Sequence, residues 1–201
     1  RERHVHKVDF VTRLALGTDV ILLQGVHGGA GDLAELSHRL PSHMVLGSFC
    51  TSHAAGGIAV LISPRLLGIY SGEISQEVIE PGRAMCVTLK GGGLHPISFC
   101  CVHVVPEWPL ALKKSFVSRL SRSVPSLGES AVFLGGDLNF PAVGEGRTDL
   151  RTGRTTFADT SLSLHFEETF PELIEVVCDR PTRKQVVGDE LGIVSRIDRV
   201  F

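Results

Sequence analysis

The segment Phe133-Leu-Gly-Gly-Asp-Leu-Asn-Phe140 ends an apolar run with a carboxylate and an amide two residues apart. On a strand, residues i and i+2 share a face, so Asp137 and Asn139 are expected to project together where the chain leaves the core. Gly135 and Gly136 leave room for close approach to the backbone. A carboxylate beside an amide can orient an attacking water and contact an oxygen-rich, metal-bound substrate. The same G-G-D-x-N pattern also suits an Asx-turn in which both side chains satisfy local backbone groups. The motif alone leaves both readings open.

The elements that must hold these residues are legible as apolar runs between turn residues. Asp19-Val-Ile-Leu-Leu-Gln24 is continuous and bounded by glycines, which fits a fully buried strand. A short helix is expected from Asp32, as N-cap with Glu35 in the capping-box position. Leu33, Leu36 and Leu40 would form its apolar face, and Pro41 would stop it. Strands are expected over 44–49, 57–63, 84–89, 97–105 and 131–136, all rich in Val, Ile, Cys and Phe. Pro109 can open a helix whose Leu112, Phe116, Leu120 and Val124 recur at helical spacing, with Lys113, Lys114, Arg119 and Arg122 outward. Residues 141–156 read as a long loop, 172–178 as a short helix or strand, and 192–201 as one final strand. Strands outnumber helices too far for a doubly wound parallel sheet. The expected fold is a layered α/β sandwich of two mainly antiparallel sheets flanked by helices.

Length and charge bound the function less tightly. A chain of 201 residues, 43% hydrophobic, supports one sizeable core, and a single domain over 1–201 is expected. The net charge of -2 gives no strong field toward nucleic acid. It does not exclude a nucleic-acid enzyme, because acidic site residues would mask a basic face. The five cysteines include no C-x-x-C pair, and neighbours Cys100 and Cys101 would point to opposite faces of a strand. Reduced, buried thiols in an intracellular protein are expected, with no zinc site or disulfide framework. No apolar run is long enough to span a bilayer, so no membrane partner is expected.

Four segments in order, DVILLQGVHG (19–28), GGIAVLIS (56–63), FLGGDLNF (133–140) and SRIDRVF (195–201), resemble the endonuclease/exonuclease/phosphatase superfamily. Within it they are most similar to the apurinic-type endonuclease domains of non-LTR retrotransposons. The similarity runs from Asp19 to Phe201. It implies two packed β-sheets, a divalent metal (Mg2+ or Mn2+) at their shared edge, and DNA as substrate. It also implies a longer polyprotein carrying a reverse transcriptase, and a nuclear location. By the same resemblance, Asp137 aligns or deprotonates the attacking water and Asn139 contacts the scissile phosphate. His103, in His-Val-Val-Pro106, matches a strand-end histidine that contacts phosphate or acts as acid. Asp198 matches a carboxylate that orients a catalytic histidine, and Ser195 and Arg196 could reach phosphate. Each has a plainer reading: His103 bonded to a backbone carbonyl, and Asp198 in a surface ion pair with Arg196 or Arg199. Arg147, Arg151, Arg154, Arg183 and Lys184 could hold flanking phosphates or be solvated loop charge.

The sequence departs from the pattern at one central point. The family's metal-binding glutamate falls on Gly25, so the metal ligand is unassigned. Gln24 would face the other way on a strand. The family's first asparagine motif and its final Ser-Asp-His motif have no counterpart in 1–201, so the domain is expected to be incomplete at both ends. The readings are therefore a metal-dependent endonuclease, a degenerate non-catalytic relative, or a phosphoesterase of the same fold with a small phosphorylated substrate.

Overall fold

The structure, a computed structural model, describes residues 2–52, 56–157, 160–176, 182–187, 190–195 and 197–201, with the backbone alone at 2–6, 157, 183–187 and 190–195. In chain order the elements are α1 (Glu2–Ala15), β1 (Val20–Gln24), α2 (Ala30–Arg39), β2 (Met44–Ser48), β3 (Ile58–Ile62) and α3 (Pro64–Ile69). Next come β4 (Ile74–Glu80), β5 (Ala84–Gly91), β6 (Leu94–His103), α4 (Leu110–Ser123) and β7 (Ala131–Asp137). The chain continues with β8 (Gly146–Asp149), β9 (Arg154–Phe157), α5 (Ser161–Thr169), β10 (Arg183–Val187), β11 (Glu190–Ser195) and β12 (Asp198–Val200).

Two sheets stack face to face, as expected: β1-β3-β2 and β12-β7-β6-β5-β4. β6 and β7 run parallel, joined through α4; the other described pairs are antiparallel. The inner layer is built by Ile58, Val60 and Ile62 of the small sheet against Met85, Val87, Phe99 and Cys101 of the large one. Each such side chain contributes about 2 kcal/mol on leaving water. A second layer packs the outer face of the large sheet on α4 and α5 through Cys100, Leu134, Phe116, Leu120 and Phe166. A third packs α1 and α2 on the small sheet through Ala15, Leu36, Ile21 and Leu61. Cys100 and Cys101 do enter opposite layers. No described helix is long and apolar enough to cross a membrane.

Local departures have physical causes. Asp32 is not the N-cap of α2. It sits one turn in, where its carboxylate accepts the Gly29 N–H at 2.8 Å, half of a capping box built from the other end. Leu112 is 40% exposed, and the buried face of α4 is Phe116, Val117 and Leu120. The stretch 141–156 is no plain loop. It enters β8 and β9, which join β10 and β11 in a third sheet of order β10-β11-β8-β9. The described residues 172–176 form neither helix nor strand. Residues 192–201 divide between two sheets, β11 in the third, four-stranded one and β12 at the edge of the large one.

That division fixes β12 through its middle residue. Arg199 is only 3% exposed, paired to Glu175 at 2.6 and 3.0 Å, with its guanidinium 4.8 Å from the Phe201 ring centre. It also lies over Phe140 and Phe166. A surface ion pair between Arg199 and Asp198 is thereby ruled out, because neighbours on a strand face opposite sides.

Candidate active site

Register, more than sequence spacing, assembles the site. On parallel β6 and β7, His103 lies opposite Asp137; on antiparallel β12 and β7, Asp198 lies opposite Asp137. Three of the expected site residues thus form one row across adjacent strands, at the edge of the face turned toward the small sheet. With Pro106, Asn139, Thr182 and Ile197 they line a cavity of about 420 Å³.

Asp137 ends β7 as an Asx-turn, its Oδ1 accepting the Asn139 N–H at 3.0 Å. Asn139 is the one described non-glycine residue with positive φ, at 55°. It shares the cavity with Asp137 through this turn, not through strand alternation. Its Nδ2 donates to the Val104 carbonyl at 2.7 Å, and Val104 N–H donates to the Asp137 carbonyl at 2.9 Å. The plainer reading of this motif is therefore realised. The turn also holds the carboxylate at the rim. Asp198 is exposed, and Thr182 shapes the approach to it by accepting the Ile197 and Asp198 N–H groups at 3.1 and 3.0 Å.

His103 is half-buried and does not bond a backbone carbonyl through its ring. Its Nδ1 lies 3.2 Å from Nη1 of Arg83, and its own N–H donates to the Arg83 carbonyl at 2.7 Å. Burial holds its pKa below the usual 6.5, and the charges of Arg83 and His27 push the same way; Asp198 and Glu107 oppose them. Arg83 was not singled out in the sequence. The signal available was the Pro81-Gly82-Arg83 turn immediately before β5, but its partner lies 20 positions away.

Ser195 ends β11 in register with Arg183, its side chain outside the described residues, and Arg196 lies wholly outside them. Arg147 and Arg154 fall on β8 and β9, while Arg151 pairs with Asp149 at 3.4 Å. Cys50, Cys86, Cys100 and Cys101 are free thiols, and Cys178 lies outside the described residues.

Position 25 decides the metal question. Gly25 follows β1 with φ 62°, and a side chain built there would meet nothing within 4 Å. Gln24, expected to face the other way from position 25, points into the layer between the sheets, where it donates to Cys101 Sγ at 3.2 Å and lies beside Gly136. Among the described residues no group of three or more His, Cys, Asp or Glu is gathered for a metal ion. The described side chains do not build the protein-held metal site that the resemblance implies.

No protein-family model matches the chain, and no curated protein sequence matches it. Solved structures do. The Xenopus laevis APE2 catalytic domain aligns with a TM-score of 0.65 at 16% identity, over 98% of this chain and 78% of that one. The endonuclease domain of TRAS1, a telomere-specific non-LTR retrotransposon, aligns at 0.55 and 14%, over 91% and 84%. D. rerio TDP2, solved with a single-strand DNA product, aligns at 0.54 and 14%, over 96% and 74%. At these identities the likeness speaks for architecture, and it agrees with the two main sheets flanked by helices described above. The chain has the endonuclease/exonuclease/phosphatase fold.

Proposed function

We propose that the chain is a phosphodiesterase-type domain directed at DNA, of the retroelement endonuclease kind, with Asp137 orienting the attacking water. The observation that carries this reading is the row His103, Asp137, Asp198, brought into register on three strands and opening on one cavity. A phosphodiester needs an activated nucleophile on one side and neutralised oxygen charge on the other. Asp137, steered by its Asx-turn, suits the first task. His103 suits the second, while Asn139 braces the rim through Val104. Asp198 adds a carboxylate next in the row, and Ser195 and Arg196 stand as candidate phosphate contacts.

Dependence on Mg2+ or Mn2+ belongs to this proposal. With no side chain at position 25, the ion would have to arrive largely with the substrate, since Mg2+ is often held by one or two carboxylates together with phosphate oxygens. In the retroelement setting the chain would be one part of a nuclear polyprotein that also carries a reverse transcriptase. Gly25 favours a second reading, a nuclease-like domain that no longer cleaves.

Plasmid nicking with and without Mg2+ or Mn2+, run beside Asp137→Ala, separates the two. The proposed activity is metal-dependent and falls by about 100-fold or more in the variant. Nicking that survives the substitution removes Asp137 from the mechanism. Equal silence from both proteins favours the second reading.

A further inference from the structure

The pairing of His103 with an arginine settles something the identity of the histidine does not. A neutral imidazole has one donor nitrogen and one acceptor, and its partner selects which is which. Guanidinium has five N–H groups and no acceptor. Nη1 of Arg83 stands 3.2 Å from His103 Nδ1, so Nδ1 must be the lone-pair nitrogen. The proton then resides on Nε2. An acid at position 83 would impose the reverse, with Nδ1 protonated and Nε2 left as a base.

We infer that Arg83 is a positioning residue that confines His103 to the Nε2–H tautomer, making it a neutral hydrogen-bond donor toward a phosphoryl oxygen in the cavity and not a general base. Only the identity of the acceptor rests on the function proposed above; the tautomer stands on geometry.

The slot around Arg83 is built closely enough to hold it. Its N–H donates to the Glu80 carbonyl at 2.9 Å, closing a turn in which Gly82 adopts φ 65°. That turn is tied to the small sheet by Gly82 N–H to Ser48 Oγ at 2.9 Å and by Gly57 N–H to the Gly82 carbonyl at 3.1 Å. A Cβ on Gly56 would lie 2.8 Å from Arg83 Cζ and 2.7 Å from Cys50 Sγ. Glycine at 56 therefore leaves the space that the guanidinium fills. Gly56, the first glycine of GGIAVLIS, thus has a role the sequence does not reveal, which is to admit Arg83 beside His103. Protonating Nδ1 would set donor against donor, in keeping with a histidine held neutral.

Nitrogen-15 correlation spectra of the histidine rings test this on the whole chain, without requiring activity. They are recorded well above pH 6.5, and His103 is assigned by the signals lost in His103→Gln. In the wild type, Nδ1 should show the shift of a lone-pair nitrogen and Nε2 that of a protonated one. Arg83→Glu should reverse the pattern or leave the ring doubly protonated. Arg83→Lys, still a donor without an acceptor, should preserve it. A wild-type His103 protonated on Nδ1, or an unchanged pattern in a folded Arg83→Glu, would overturn the inference. Should Arg83→Glu not fold, a wild-type His103 protonated on Nδ1 would still overturn the inference. Inorganic phosphate added to the wild type should then move the Nε2–H signal. Failure of that step alone, with the tautomer as stated, rejects the phosphate reading and spares Arg83.

Discussion

Two strand ends face each other across the upper edge of the sandwich, and they are built to different standards. At the end of β7, Gly135-Gly136-Asp137 is enclosed by neighbouring strands, and a Cβ on Gly136 would lie 2.0 Å from the Val102 carbonyl and 3.1 Å from Gln24 Nε2. At the end of β1, Gly25 looks into open space. Both glycines have positive φ, 144° and 62°. The first is glycine because nothing else fits, the second because of the turn alone. The enclosed end carries the row of candidate chemistry, and the open end is where the resemblance placed a metal ligand. On the function proposed above, the residues assigned to water and phosphate stand at the enclosed end, and position 25 at the open end has no side chain to offer a cation.

Replacing these glycines is the strongest way to break the comparison. Gly136→Ala should destabilise the fold by on the order of 3 kcal/mol or more, since strain and overlap act together. Gly25→Ala should cost only about 1–2 kcal/mol, the penalty for a left-handed residue. Urea midpoints of the two variants measure the gap. Equal losses would show that the end of β1 is as tightly packed as the end of β7.

Gly25→Glu sharpens it from the other side. A Cβ there meets nothing within 4 Å, and the stability cost should match that of Gly25→Ala. If position 25 faces the same cavity as Asp137, the variant should gain a thermal stabilisation by Mn2+ that the wild type lacks or shows only weakly. At 100 times the dissociation constant a bound ion adds about 2.7 kcal/mol. A melting temperature that responds to Mn2+ no more than wild type would show that restoring the side chain does not restore a metal site.

How much of this was legible follows from where the information resides. β3 is apolar at all five positions, because it is central to the small sheet and covered on both faces; its sequence announces it. β4 was not anticipated because it is an edge strand whose Ser75, Gln76, Glu77 and Val78 are exposed. The hairpin of β8 and β9 has the sequence of a loop for a similar reason, Gly-, Arg- and Thr-rich strands giving little apolar alternation. Asp137 stands out in the sequence by type and by position at a strand end, and His103 by the family resemblance. Their meeting required the parallel register of β6 and β7, which no local pattern encodes. Arg199 resembled a surface charge until Phe140, Phe166 and Phe201, far apart in the chain, closed around it. Arg83 was missed because its role depends on a hydrogen bond across strands and a glycine at 56.

The enclosed end also carries a pH signature that the open end should lack. His103 has a folded-state pKa below 6.5, mainly because it is half-buried and then because Arg83 and His27 repel a proton; Asp198 and Glu107 pull the other way but do not prevail. The unfolded chain therefore binds a proton at this site at higher pH than the folded one. Its contribution to stability is fully present above pH 6.5 and is lost as pH falls from there through the folded-state value. Urea unfolding of the wild type and of His103→Asn, compared from pH 8 downward, isolates that contribution from the other histidines. The difference between the two proteins should stay flat above the unfolded pKa of about 6.5 and then move against the wild type as the pH drops. A flat difference throughout, or one that moves in favour of the wild type, would mean that burial and the neighbouring charges do not lower the His103 pKa in solution. The contrast between a preset end of β7 and an open end of β1 would then rest on packing alone.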